Sequence, residues 1–187
     1  FKVFERHRIP KKGPLIIASN HASFLDPVII GVASPRMLNF MARHDLFHNR
    51  FFRWLLRGLN TFPVKREGSA LSAFKEAIRI LREQKALVVF PEGTRTRDGS
   101  LRRAHSGVGL LAVKTSSTVV PVYVDGTRGA LPRGAFFIRF KPVRVYCGKP
   151  LKPGESLKRE GEDIYQRFAD SVMESISALR LKAMKKG

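Results

Sequence analysis

Two side chains that can move a proton together lie five positions apart in a polar stretch, at His21 and Asp26. Histidine is the side chain best suited to take and return a proton near neutral pH. A carboxylate that accepts a hydrogen bond from one ring nitrogen orients the ring and stabilises the imidazolium as it forms. The pair therefore predicts a general base, His21, held by Asp26. From the residues alone, the alternative is that Asp26, which precedes Pro27, only caps a helix.

A second polar stretch, Glu92-Gly93-Thr94-Arg95, follows Pro91 and an apolar run. Proline and glycine favour a turn, and such a turn exposes backbone N–H groups with Arg95 beside them. Backbone donors and a guanidinium together suit a phosphate group. The stretch therefore predicts a phosphate-binding loop, and a solvated turn with surface arginines is the alternative.

The elements around these stretches alternate between strands and helices. Short apolar or extended runs predict strands at Leu15–Ala18, Leu38–Ala42, Thr61–Val64, Ala86–Phe90 and Val119–Val124. Asp26 and Pro27 predict the start of a helix, with Asp26 as its N-cap and Pro27 at the first helical position. Apolar residues predict further helices after Gly68–Ser69, over Gly109–Lys114, and from Ile164 to Leu179. Ala135–Phe140 and Val143–Cys147 predict a hairpin.

This alternation predicts an α/β fold, with residues 1–187 forming a single domain in which helices cover a central mixed β-sheet. Sites in such folds form beyond the carboxyl ends of strands. Both polar stretches directly follow predicted buried strands, so we expect them to meet at one edge of the sheet.

Taken together and in this order, the two stretches resemble the motifs of the glycerolipid acyltransferase family, and more narrowly of its 1-acyl-sn-glycerol-3-phosphate (lysophosphatidate) acyltransferase branch. Two weaker blocks agree in order, namely Phe62-Pro63-Val64-Lys65-Arg66 and Val119-Val120-Pro121-Val122. The resemblance runs from about Gly13 to Pro150. The chain departs from it at Ala104-His105-Ser106-Gly107, where members often carry a Phe-Lys-x-Gly-like segment.

The resemblance implies transfer of an acyl group from a thioester, acyl-CoA or acyl carrier protein, to the hydroxyl of a lysophospholipid acceptor. For this branch the acceptor is lysophosphatidate and the product is phosphatidate. His21 would be the base and Asp26 its support, with no acyl-enzyme, cofactor or metal required. Arg95 with the Glu92–Thr94 turn would hold the acceptor phosphate, and Arg66 is a second candidate. Glycerol 3-phosphate or another lysolipid as acceptor stays open.

The net charge of +20, from 35 Lys and Arg against 15 Asp and Glu, calls for an anionic partner. A basic nucleic-acid-binding module is the alternative from a different functional class. The arginines form no nucleic-acid-binding motif, so we expect no nucleic acid partner. The single cysteine, Cys147, excludes an internal disulfide and a cysteine-based metal cluster.

Two basic segments are candidates for contact with an anionic membrane surface. Residues 44–57 predict an amphipathic helix whose arginines border an aromatic face, with Arg50, Arg53, Trp54 and Arg57 as the lipid-contact candidates. An ordinary surface helix packed on the sheet is the alternative. Residues 126–154 carry seven basic and no acidic side chains. They could dock acidic lipids, coenzyme A phosphates or an acidic carrier protein, or they form a solvated basic hairpin.

No apolar run is long enough to cross a bilayer. Together with the basic charge, this predicts a peripheral protein at the cytoplasmic face of a membrane. The chain begins with Phe1 rather than Met, which leaves room for an N-terminal membrane-associating segment upstream.

Overall fold

The computed structural model describes residues 1–43, 58, 60–64, 69–132, 134–135, 137–154 and 161–185. Its centre is one sheet of seven strands: β1 (Lys2–Phe4), β2 (Leu15–Ser19), β3 (Leu38–Arg43), β4 (Thr61–Val64), β5 (Ala86–Val89), β6 (Thr118–Asp125) and β7 (Arg144–Cys147). A 3-10 turn at Arg6–Arg8 follows β1. The described residues form five helices: α1 (Asp26–Ala33), α2 (Ser69–Arg82), α3 (Gly107–Thr115), α4 (Thr127–Ala130) and α5 (Gly161–Met184).

The strand order across the sheet is β1-β7-β6-β2-β5-β3-β4. All neighbouring strands pair in parallel except β6 and β7, which are antiparallel. The predicted fold class, a mixed sheet covered by helices, is confirmed. Because β2 lies between β5 and β6, the carboxyl ends of these three parallel strands meet at one edge, which we call the site edge.

The core lies on both faces of the sheet. Alternate residues of β2 face opposite sides, since Leu15 and Ile17 belong to one buried cluster and Ile16 and Ala18 to the other. Helix α1 covers the first face, and α2, α3 and α5 cover the second. The predicted C-terminal stripe is confirmed, because all its members are buried: Ile164, Phe168, Val172, Ile176 and Leu179.

Two local predictions were wrong. Asp26 does not cap α1: the helix begins at Asp26 itself, and the capping position, Leu25, makes no side-chain cap. The predicted hairpin does not form either. Arg144–Cys147 is a strand, but its antiparallel partner is β6, and none of the described residues between 134 and 143 is in a strand.

The predicted helix over residues 44–57 lies outside the described residues, as does the candidate phosphate ligand Arg66. The lipid-contact candidates of that helix, Arg50, Arg53, Trp54 and Arg57, therefore stay predictions. Within the described ranges, no helix has both the length and the apolar composition needed to cross a membrane.

Candidate active site

The Asp26 side chain is fully buried and anchored at both oxygens. Its Oδ2 accepts hydrogen bonds from the backbone N–H groups of Ala22 (2.7 Å) and Ser23 (2.8 Å). Its Oδ1 accepts one from the Thr127 hydroxyl, at 2.6 Å. These donors precede α1 or lie in α4, so the carboxylate points back into the loop and not along the helix. The bonds compensate the burial of the carboxylate and fix its position.

The His21 ring is held in one orientation from two sides. Its Nδ1 lies 2.9 Å from Asp26 Oδ2, and its face stacks on the Phe90 ring at 4.0 Å between centroids and an interplanar angle of 17°. With the carboxylate accepting from Nδ1–H, the lone pair lies on Nε2. Among the described residues, Nε2 has no hydrogen-bond partner, and the side chain is 17% exposed. The geometry is that of a base open to a substrate.

Glu92 joins the two loops. Its Oε1 accepts from the His21 backbone N–H at 3.1 Å, and its Oε2 accepts from the Arg102 backbone N–H at 3.0 Å. Thr96 adds a backbone bond, donating its N–H to the His21 carbonyl at 2.8 Å. Glu92 is buried, and burial raises the pKa of its carboxyl group above the usual value. The side chain therefore faces the protein and positions the loop that carries His21, instead of contacting a phosphate.

The turn after β5 is a tight one. Gly93 donates its N–H to the Phe90 carbonyl at 3.0 Å and has a φ of +68°, in the left-handed region that favours glycine. A Cβ at this position would come within 3.0 Å of the His105 ring. The Gly93 N–H is therefore used inside the turn. Gly93 shapes the predicted phosphate-binding loop through its conformation and does not offer its N–H to a phosphate.

Arg95 leaves this turn towards the first loop. Its guanidinium carbon lies 3.5 Å from the centroid of the Phe24 ring, in cation–π contact. Thr94 is exposed next to it. The contact places a cation over the loop that carries His21 and Asp26.

The sequence does not reveal how several residues build the site. Thr127 lies 101 positions from Asp26, and Phe90, which directly precedes the second polar stretch, carries no sign that its ring stacks on His21. Asn20 donates from Nδ2 to the Val124 carbonyl at 3.0 Å and accepts the Val124 N–H at 2.8 Å, which ties the first loop to β6. Only the sheet order brings these partners together. His105 reads as a surface residue, yet it lies against the turn at Gly93.

The two side chains most easily mistaken for nucleophiles are engaged elsewhere. The Ser23 hydroxyl is buried and donates to the Leu131 carbonyl at 2.9 Å. Cys147 is buried in β7, and this burial raises the pKa of its thiol to about 11. In the part of the chain that the structure describes, no group of three or more His, Cys, Asp or Glu side chains is placed to hold a metal ion.

The family model described as Acyltransferase matches residues 1–125. The 1-acyl-sn-glycerol-3-phosphate acyltransferase of Bacillus subtilis is 26% identical over 183 residues, which cover 97% of this chain and 88% of that protein. The enzyme of the same name from Streptococcus pneumoniae is 33% identical over 154 residues, covering 80% of this chain and 54% of that protein.

Among solved structures, the 1-acyl-sn-glycerophosphate (LPA) acyltransferase PlsC from Thermotoga maritima matches with a TM-score of 0.76 and 27% identity. The match covers 95% of this chain and 71% of that one. The resemblance predicted from the paired motifs is confirmed. With its family model matched across 125 residues and the motif residues gathered at one edge of the sheet, the chain belongs to the Acyltransferase family.

Proposed function

We propose that this protein is a lysophosphatidate acyltransferase, which moves a fatty acyl group from an acyl thioester to the free hydroxyl of lysophosphatidate and so makes phosphatidate for phospholipid biosynthesis. The observation that carries the proposal is the His21–Asp26 pair at 2.9 Å, with the His21 ring stacked on Phe90 and Arg95 on the Phe24 ring of the same loop. The names of the relatives support the choice of acceptor.

His21 acts as the general base in this proposal. Its Nε2 takes the proton of the acceptor hydroxyl while the hydroxyl oxygen attacks the thioester carbonyl. Asp26 stabilises the imidazolium that results. When the tetrahedral intermediate collapses, the carbon–sulfur bond breaks and the proton passes from His21 to the departing sulfur. Because the acceptor itself is the nucleophile, no acyl-enzyme forms.

Arg95 binds the phosphate of the acceptor, with Thr94 beside it and Gly93 shaping the turn. An arginine held on an aromatic ring presents its in-plane N–H groups to a phosphate in a fixed direction. Arg66 is proposed as a second cation for the same group. Holding the phosphate fixes the hydroxyl near His21, and positioning of this kind is worth about 7–11 kcal/mol in favourable cases.

The acyl donor is acyl-CoA or acyl carrier protein, both of which are substrates and not resident cofactors. We further propose that the enzyme works at the cytoplasmic face of a membrane, as a peripheral protein on anionic lipid. The charge of +20 supports this placement, because anionic headgroups attract it. A variant with Arg50, Arg53 and Arg57 all changed to Glu should lose binding to anionic vesicles, and undiminished binding would contradict a lipid role for these arginines.

The function is tested by thiol release from acyl-CoA and from acyl carrier protein, with lysophosphatidate and with glycerol 3-phosphate as acceptors. We expect release with lysophosphatidate that depends on His21 and is lost in H21A, while circular dichroism shows a folded variant. Release with glycerol 3-phosphate alone would reassign the acceptor. Substantial turnover by H21A would remove His21 as the base.

A further inference from the structure

The connection between β6 and β7 carries the most exposed aromatic side chains of the described residues. Phe137 is 85% exposed, Ile138 61% and Phe140 105%. Exposing large apolar side chains to water is unfavourable. A group of them on the surface therefore marks a place that meets an apolar partner. We call residues 137–141 the exposed segment.

Cations accompany these apolar groups. Arg139 and Lys141 alternate with Ile138 and Phe140 along the exposed segment, and both are exposed. Arg128, also exposed, lies in the same connection, and its guanidinium donates to the Arg97 carbonyl at 3.3 Å. No acidic residue occurs between positions 126 and 154. Apolar and cationic side chains interleaved on one surface match the acyl and headgroup layers of an anionic membrane.

The exposed segment lies at the site edge and is tied to the catalytic pair. Both ends of the connection are at this edge, because Asp125 pairs with Arg144 in the antiparallel ladder. Thr127, at its start, holds Asp26. The Arg139 N–H donates to the Ala130 carbonyl at 2.7 Å, which returns the segment to α4.

We infer that the exposed segment docks the protein on anionic lipid, with Phe137, Ile138 and Phe140 entering the acyl layer and Arg139 and Lys141 on the headgroup phosphates. Docking through this segment turns the site edge towards the membrane, where His21 meets a lipid acceptor. The inference rests on the proposed function for the identity of that acceptor. An acidic carrier protein or a nucleic acid would use the cations but has no comparable apolar layer for three exposed apolar side chains.

The fold offers a matched control away from the site. Leu181 and Met184 are exposed at 59% and 69% near the end of α5, next to Lys182 and Lys185. Lys182 contacts Glu5, which follows the carboxyl end of β1. Because β1 is parallel to β7 and β7 is antiparallel to β6, this end of β1 points away from the site edge. Leu181 and Met184, with Lys182 and Lys185 beside them, therefore combine exposed apolar and cationic side chains as the exposed segment does, but they lie away from the site edge.

The test compares F137S/F140S with L181S/M184S in flotation with vesicles of phosphatidylcholine containing phosphatidylglycerol, and with phosphatidylcholine alone. We expect wild type to bind the anionic vesicles and F137S/F140S to bind at least about tenfold more weakly, since burying even part of a Phe side chain contributes this much. L181S/M184S should bind like wild type. Failure of wild type to bind, undiminished binding of F137S/F140S, or an equal loss in L181S/M184S would each overturn the inference.

Activity separates this inference from the proposed function. With a short-chain, water-soluble lysophosphatidate, F137S/F140S should turn over like wild type, whereas acceptor held in anionic vesicles should be used at least about tenfold more slowly, in line with its binding. If neither protein uses lysophosphatidate while vesicle binding differs as expected, the proposed function fails and the docking surface stands.

Direct insertion is measured with a probe on the segment. A Phe140→Cys variant labelled with an environment-sensitive fluorophore takes the probe there selectively, because Cys147 is buried and its thiol pKa is raised to about 11. We expect a blue shift and quenching by brominated acyl chains on anionic vesicles. The same label on Met184→Cys should show neither change, and an unshifted probe at position 140 would contradict insertion.

Discussion

Replacing Asp26 by Asn removes a charge from the site while keeping its shape. The amide carbonyl can occupy the Oδ2 position and accept from His21, Ala22 and Ser23, as the carboxylate does. The amide NH2 then faces the Thr127 hydroxyl, which can accept as well as donate. We therefore expect D26N to fold.

The loss of activity follows from the distance. With His21 Nδ1 at 2.9 Å from the carboxylate oxygen, the charge centres are about 4 Å apart, and at an effective dielectric constant of about 20 their attraction is about 4 kcal/mol. The charge on His21 appears only as the proton is transferred, so this stabilisation acts on the transition state. At 1.36 kcal/mol per tenfold change, kcat should fall by about a thousandfold.

The assay is steady-state thiol release at saturating donor and acceptor, with thermal unfolding to confirm the fold. Thr127→Val is the matched control, because it removes one hydrogen bond to Asp26 and leaves the charge; its kcat should fall by less than about tenfold. A folded D26N with more than about a tenth of the wild-type kcat would refute the reasoning, as would a loss in T127V equal to that in D26N.

Three further changes test the second loop. R95A should raise the KM for lysophosphatidate by about 10–100-fold, which corresponds to the loss of a hydrogen bond to a charged group, and should leave the KM for the acyl donor unchanged. R95K should be intermediate, because lysine keeps the charge but lacks the paired N–H donors of the guanidinium. An unchanged acceptor KM and kcat would remove Arg95 from the site. Both Glu92 oxygens accept hydrogen bonds from backbone N–H groups, so the amide of E92Q would turn an N–H towards one of these donors. The free energy of unfolding in urea should fall by about 1–3 kcal/mol. A stability equal to wild type would show that the link between His21 and Arg102 through Glu92 is dispensable. G93A should lower the free energy of unfolding by about 1–2 kcal/mol, because the φ of +68° disfavours a residue with a side chain. G93A/H105A should regain only the part of this loss that comes from the contact with the His105 ring. Full recovery in thermal unfolding would assign the whole loss to that contact and contradict the backbone argument.

The local sequence predicted the His21–Asp26 contact because a hydrogen bond across five positions needs only one loop. It also predicted α5, whose apolar stripe has the helical period. The two wrong predictions have physical causes. Asp26 before Pro27 has the pattern of a helix cap, but its carboxylate is used by the loop behind it and by Thr127.

The hairpin prediction failed at Ala135–Phe140 because an apolar segment forms a strand only when a neighbouring strand satisfies its backbone and a core covers its apolar side chains. Here β6 takes Arg144–Cys147 as its partner, and Phe137 and Phe140 stay exposed.

The role of Glu92 could not be predicted, for a different reason. A carboxylate that bonds only to backbone N–H groups selects no side-chain partner that a sequence pattern could reveal.

The position of β2 in the sheet has a consequence for how the protein acquires its activity during synthesis. The neighbours of β2 come much later in the chain, since Leu15 pairs with Ala86 and with Thr118. Thr127, which completes the support of Asp26, comes later still. Closing such long loops slows folding and leaves β2 with two unpaired edges while the ribosome makes the intervening residues. A nascent chain therefore carries its complete His21 motif early, but the strands that flank β2 and the hydroxyl that holds Asp26 are made only once residue 127 has emerged. A chain that ends before this point leaves the edges of β2 unpaired, which is a hazard for aggregation.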